Sequence, residues 1–143
     1  MIFLWGGNNL TLYVVLDTNI LLLASEGKFN VTREIERIVP QKHEVVYLSA
    51  CLKELEFLAE KPKMSRKILF AKKLLESLQI VEFDLTEDIT IDDKIVQYAI
   101  ENKSQCVIVT NDNELKKRLL EHSIAVIFIR SKSHLELVGT LPT

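Results

Sequence analysis

Glycine is scarce in this chain, four in 143 residues, and none of the four belongs to a G-x-G-x-x-G or Walker pattern. A loop that cradles nucleotide phosphates with its backbone is thereby excluded. Cysteine is scarcer still. Cys51 and Cys106 stand alone, which reads as two small core residues and not as a disulfide or a metal-binding pair. The three histidines, His43, His122 and His134, have no metal-ligand spacing. No apolar run is long enough to span a bilayer. The first eleven residues, MIFLWGGNNLT, have neither a basic n-region nor a small-residue cleavage site. They are expected to form a leader outside the core, with a cytoplasmic location as the default. Repeats, low-complexity stretches and linkers are absent, so one domain over residues 1–143 is expected. A net charge of −2 excludes nucleic-acid binding by bulk charge.

What the chain does have is an apolar content of 48%, enough to bury a core. Short runs rich in Val and Ile occupy 12–17, 44–48, 80–83, 106–109 and 124–129, as suits strands buried on both faces. Segments with apolar residues at helical spacing separate them, at 33–39, 49–60, 64–78, 91–102 and 113–121. Strands alternating with helices predict an α/β fold, a parallel sheet with helices on both faces.

The first run ends oddly. In VVLDTNILL (14–22) three β-formers lead into Asp17, and the polar pair Thr18–Asn19 precedes a return to apolar residues. Asp112 follows the fourth run directly, in VIVTND. Ligands of open α/β sheets bind beyond the carboxyl ends of the strands, so both acids point to that edge. Glu54 falls in line with Cys51 and Leu58, beside the apolar stripe of its helix, whereas Glu56 falls on a solvated face. Asp92 lines up with Ile95, Val96 and Ala99. Asp93, three residues after Thr90, completes a T-x-x-D capping pattern. Each acid has an ordinary reading, as a helix N-cap for Asp17 and Asp112 and as a side chain reaching water for Glu54. Four acids on one edge, with no Lys or Arg adjoining Asp17 or Asp112, repel one another unless cations join them. Hard divalent ions suit such oxygen donors, and the matching chemistry is metal-assisted phosphodiester hydrolysis.

The segments LDTNILL (16–22), CLKELEFL (51–58), IDDKIVQYAI (91–100) and VIVTNDNELKKRL (107–119) together resemble the PIN domain, a family of metal-dependent ribonucleases. The resemblance covers residues 12–135 and is nearest to VapC-like and archaeal PIN proteins and to the ribosomal-processing branch. It implies a three-layer α/β/α sandwich with a parallel five-stranded sheet in the order 3-2-1-4-5. It implies catalytic metal ligands at Asp17, Glu54, Asp92 and Asp112, with Mg2+ or Mn2+ as cofactor. Asn19 and Thr110 match the polar residues that hold such a site together, and Asp93 also matters in this branch. The implied substrate is RNA. Lys63, Arg66, Lys67 and Lys72, in a stretch without acids from 61 to 75, are candidates to hold its backbone, as are Lys116 and Lys117 after T-N-D. Their ordinary reading is a solvated helix face. The family's habits also imply a homodimer, for which Phe57, Phe70 and Leu74 offer an apolar patch. They leave open a toxin paired with an antitoxin protein or an RNA-processing enzyme.

Three other readings compete. A haloacid-dehalogenase-type phosphatase wants a second Asp where Asn19 stands. A phosphoacceptor receiver domain wants an acidic pair after the first strand, which is missing even though Asp84 could serve after the third. A non-catalytic PIN-like scaffold in an RNA-processing or ribosome-assembly complex remains the alternative; it need bind no metal.

Overall fold

The most apolar runs lie deepest. In a computed structural model describing residues 11–27 and 29–143, Val14, Val15, Leu16, Val107, Ile108 and Val109 are all fully buried. The leader expected over residues 1–11 lies, apart from Thr11, outside the described residues. The strands are β1 (Leu12–Leu16), β2 (His43–Leu48), β3 (Gln79–Val81), β4 (Cys106–Val109), β5 (Val126–Ser131) and β6 (His134–Val138). The helices are α1 (Thr18–Ser25), α2 (Val31–Ile38), α3 (Ser49–Leu58), α4 (Ser65–Leu75), α5 (Ile91–Glu101) and α6 (Asn113–Glu121), with a 3-10 turn at Pro62–Met64.

The sheet runs β3-β2-β1-β4-β5-β6. The first five strands are parallel, in the expected order, and β6 adds an antiparallel edge. That sixth strand extends the expected five-stranded parallel sheet by one. The crossovers step outward from β1 to β3 and then return past β1 to β4 and β5. Right-handed connections in the two directions place their helices on opposite faces, which layers the fold α/β/α. The chain leaves β1 and β4 in opposite directions, so a crevice opens between their carboxyl ends. Register confirms the adjacency: Leu16 pairs with Val109, and the Asp17 amide donates to the Val109 carbonyl at 3.0 Å.

Local chemistry sets the helix starts at this edge. Asp17 caps α1, accepting the Ile20 amide, and Asp112 caps α6, accepting the amides of Glu114 and Leu115. Thr90 and Asp93 form a reciprocal capping box on α5. Cys51 and Cys106 are buried free thiols, as their isolation implied.

Candidate active site

Three consecutive residues at the end of β4 organise the crevice. The Thr110 hydroxyl, fully buried, donates to Asp17 Oδ2 and accepts the Asp112 amide at 3.1 Å. Asn111 Oδ1 accepts the Ile129 amide at 3.1 Å, where β5 has run on past the end of β4. Asp112 Oδ1 takes the two α6 amides at 2.8 and 3.0 Å, leaving Oδ2 without a hydrogen-bond partner among the described residues.

Asp17 is only 7% exposed, and both its oxygens are held, Oδ1 by the Ile20 amide at 2.8 Å and Oδ2 by Thr110. Burial raises its pKa from 3.8 to about 6. The two hydrogen bonds pull it down, and the neighbouring Asp92 and Glu54 push it up again. The Asp92 carboxyl is likewise raised, by burial first and by Asp112 next, with Arg118 opposing. Glu54 and Asp92 accept no hydrogen bond and form no ion pair among the described residues.

Asp17, Glu54, Asp92 and Asp112 line one cavity of about 80 Å3, together with Thr18, Asn19, Leu58, Ile91 and Ile95. Glu54 is half-buried at this cavity and Glu56 is exposed, as the helical stripe predicts. The space suits an ion with a few waters and is too small for an organic cofactor. The acids share the cavity without meeting at a point. Among the described residues no three His, Cys, Asp or Glu side chains form a ready ligand set. The donors nonetheless fit a hard divalent cation: all are carboxylate oxygens, the neighbouring acids push the pKa of Asp17 and Asp92 up, and none of the four is ion-paired among the described residues.

The other expected site residues divide. Thr110 ties the site together. Asn19 does not: it is exposed on the first turn of α1 and its side chain makes no hydrogen bond among the described residues, though it lines the cavity. Asp93 is spent on the α5 cap and on Arg118, at 2.8 Å, so neither oxygen is spare. Lys63, Arg66, Lys67 and Lys72 are exposed on the 3-10 turn and α4, and Lys117 is exposed on α6. Lys116 lies partly buried, its ammonium 4.3 Å from the centre of the Phe128 ring.

Two supports escaped the sequence reading. The buried Tyr47 hydroxyl donates to the Cys51 carbonyl at 3.1 Å and so accepts from Thr18 Oγ1 at 2.7 Å, fastening α1 to the start of the helix that carries Glu54. A lone phenol in the apolar run VVYL was the available signal, since a buried Tyr hydroxyl needs a partner. Asp84 pairs with Lys53 on α3 and with Lys94 on α5, each at 2.7 Å, and so braces the two helices that bear Glu54 and Asp92.

A doubly wound sheet with four acids at its switch point defines the class. Within it, the chain belongs to the PIN-like domain family, which it matches over residues 14–132. It is 34% identical over 132 residues to Ribonuclease VapC4 of Methanocaldococcus jannaschii, spanning 88% of this chain and 96% of that protein. It is 27% identical over 127 residues to Ribonuclease VapC9 of Archaeoglobus fulgidus, spanning 87% of this chain and 88% of that one. Among solved structures, the PIN domain endonuclease Utp24 superposes with a TM-score of 0.73 at 18% identity, covering 92% of this chain and 94% of that one. At that identity the likeness speaks for the fold alone.

Proposed function

We propose that this protein is an endoribonuclease that hydrolyses RNA phosphodiester bonds with Mg2+ or Mn2+ held by Asp17, Glu54, Asp92 and Asp112. The observation that carries the reading is the convergence of these four carboxylates, from four separate segments, on one small cavity. The relatives named as ribonucleases support RNA as the substrate. A divalent ion bound there supplies an acidified water and offsets charge on the scissile phosphate. The chain's own part is positional. Thr110 and the Ile20 amide fix both oxygens of Asp17, and the first turn of α6 fixes Asp112. The exposed cations of α4 and α6 hold the flanking backbone, so binding weakens as salt rises.

Cleavage of a single-stranded RNA should therefore need Mg2+ or Mn2+ and stop on chelation. Asp17→Asn and Asp112→Asn should each slow it by on the order of a hundredfold or more, with the fold retained by circular dichroism. Full cleavage by the double variant, with contaminating nuclease excluded, would sink the assignment. Calorimetric titration with Mn2+ separates this reading from the scaffold, which need bind no metal. A toxin restrained by an antitoxin protein and a cytoplasmic RNA-processing enzyme are two roles for the same chemistry.

A further inference from the structure

Beyond the acidic cavity, the same sheet edge carries two larger ones. The first, of about 400 Å3, is lined by Thr110, Asn111, Asn113, Lys116, Phe128, Ile129 and Arg130. The second, of about 630 Å3, is lined by Leu23, Phe29, Asn111, Ile129 and Lys132. Asn111 and Ile129 line both, so the two open on opposite faces of the β5 overhang and adjoin across the end of β4, a track that passes over Asn111. Each is of the size that takes a nucleotide-sized ligand. The track exists because β5 outruns β4. Pairing between the two strands stops at Val109 and Ile127, and the overhang bares residues on both faces of β5. Asn111 steadies that overhang through the Ile129 amide, so the track is built into the motif that supplies Asp112.

The lining has a consistent chemistry. Each cavity holds one phenylalanine, partly buried, and among the described residues the two together are lined by the cations Lys116, Arg130 and Lys132 and by no carboxylate, although Arg130 is paired with Glu136 beside the cavity at 3.4 Å. The Lys116 ammonium over the Phe128 ring shows that the ring turns its face to that amine. Aromatic faces interleaved with cations along a groove are what a single strand of nucleic acid uses, since bases stack and phosphates pair.

We propose that this track is the substrate's binding path beside the cleavage point: single-stranded RNA leaves the acidic cavity past Asn113, stacks one base on Phe128, crosses over Asn111 beyond the end of β4 and sets a later base against Phe29. A phosphate draws the Lys116 ammonium off the ring, and the base takes its place. Arg130 and Lys132 hold the following phosphates. The inference rests on the ribonuclease reading and adds the strand's path and its preference for unpaired bases.

The test uses binding, not cleavage. An end-labelled single-stranded RNA hexamer is titrated by fluorescence anisotropy onto the Asp17→Asn protein, and Phe128→Ala, Phe128→Trp and Lys132→Ala are added singly to that background, with folding checked by thermal melting. Phe128→Ala should weaken binding about tenfold, and Phe128→Trp should keep it. Lys132→Ala should flatten the salt dependence by roughly one phosphate contact. A single abasic nucleotide should weaken binding at one position of the hexamer, and Phe128→Ala should add no further loss there. If the Asp17→Asn protein binds RNA and neither Phe128→Ala nor Lys132→Ala alters it, the path is wrong while the ribonuclease reading stands. Equal competition by a fully paired duplex would also overturn it. If the Asp17→Asn protein binds no RNA, the ribonuclease reading fails and takes the path with it.

Discussion

At the scale of single residues, Asp17 is both cap and candidate ligand, and its environment makes a pH prediction. Its folded pKa of about 6 exceeds the ordinary 3.8. Between these values the folded chain keeps a proton that the unfolded chain has released. Raising the pH through that window therefore destabilises the protein in chelator, by on the order of 2–3 kcal/mol. The loss is complete above the folded pKa, and Asp92, shifted in the same direction, adds to it. Urea unfolding from pH 4 to 7 should show this falling limb, and Asp17→Asn should flatten it. Asparagine can still accept the Ile20 amide, and its own amide can donate to Thr110 Oγ1, so the variant should be at least as stable as the parent at pH 7. Thr110→Val should do the opposite. It removes the donor to Asp17 and the acceptor of the Asp112 amide, and should cost about 1–3 kcal/mol by thermal or chemical denaturation.

At the scale of elements, the brace between α3 and α5 makes the next prediction. Lys53 and then Lys94 hold the Asp84 carboxyl well below the usual carboxylate range. Its contribution is present at neutral pH and lost as the pH falls below that range. Asp84→Asn should cost about 1 kcal/mol at pH 7 and weaken Mn2+ binding, because the helices bearing Glu54 and Asp92 lose their cross-link. Unaltered Mn2+ affinity by calorimetry would refute the brace. Much at this scale was legible from the sequence. β1 and β4 are apolar throughout because both of their faces are covered, so their runs stand out. The ordinary and functional readings of Asp17 and Asp112 proved compatible, since each caps its helix and lines the cavity. α1 went unread because Ile20, Leu21, Leu22, Leu23 and Ala24 are apolar all round, so no helical period emerges. β6 went unread because its two-residue turn, Lys132–Ser133, lacks the Gly or Asn that announces a hairpin. The bond from Thr18 to Tyr47 joins residues 29 apart in sequence, and no local pattern signals it.

At the scale of the whole molecule, Phe57 on α3 and Leu69 and Phe70 on α4 are 64%, 67% and 50% exposed. A homodimer formed there predicts twice the chain mass by light scattering at micromolar concentration, and Phe57→Glu with Phe70→Glu should return it to the monomer. No helix among the described residues is long and apolar enough to cross a membrane. The bond from Thr110 to Asp17 joins residues 93 apart in sequence, and this has a bearing on how the protein is made. At ordinary elongation speeds Asp17 leaves the ribosome on the order of ten seconds before Thr110. Until then β1 has no β4 to pair with, Asp17 lacks its hydroxyl donor, and the cavity lacks one wall. On the ribonuclease reading, a half-made chain has no complete site and should leave the RNA around it intact. Nascent chains stalled before residue 106 should be inert toward RNA even with metal present, whereas release of the full chain should switch cleavage on in a single step.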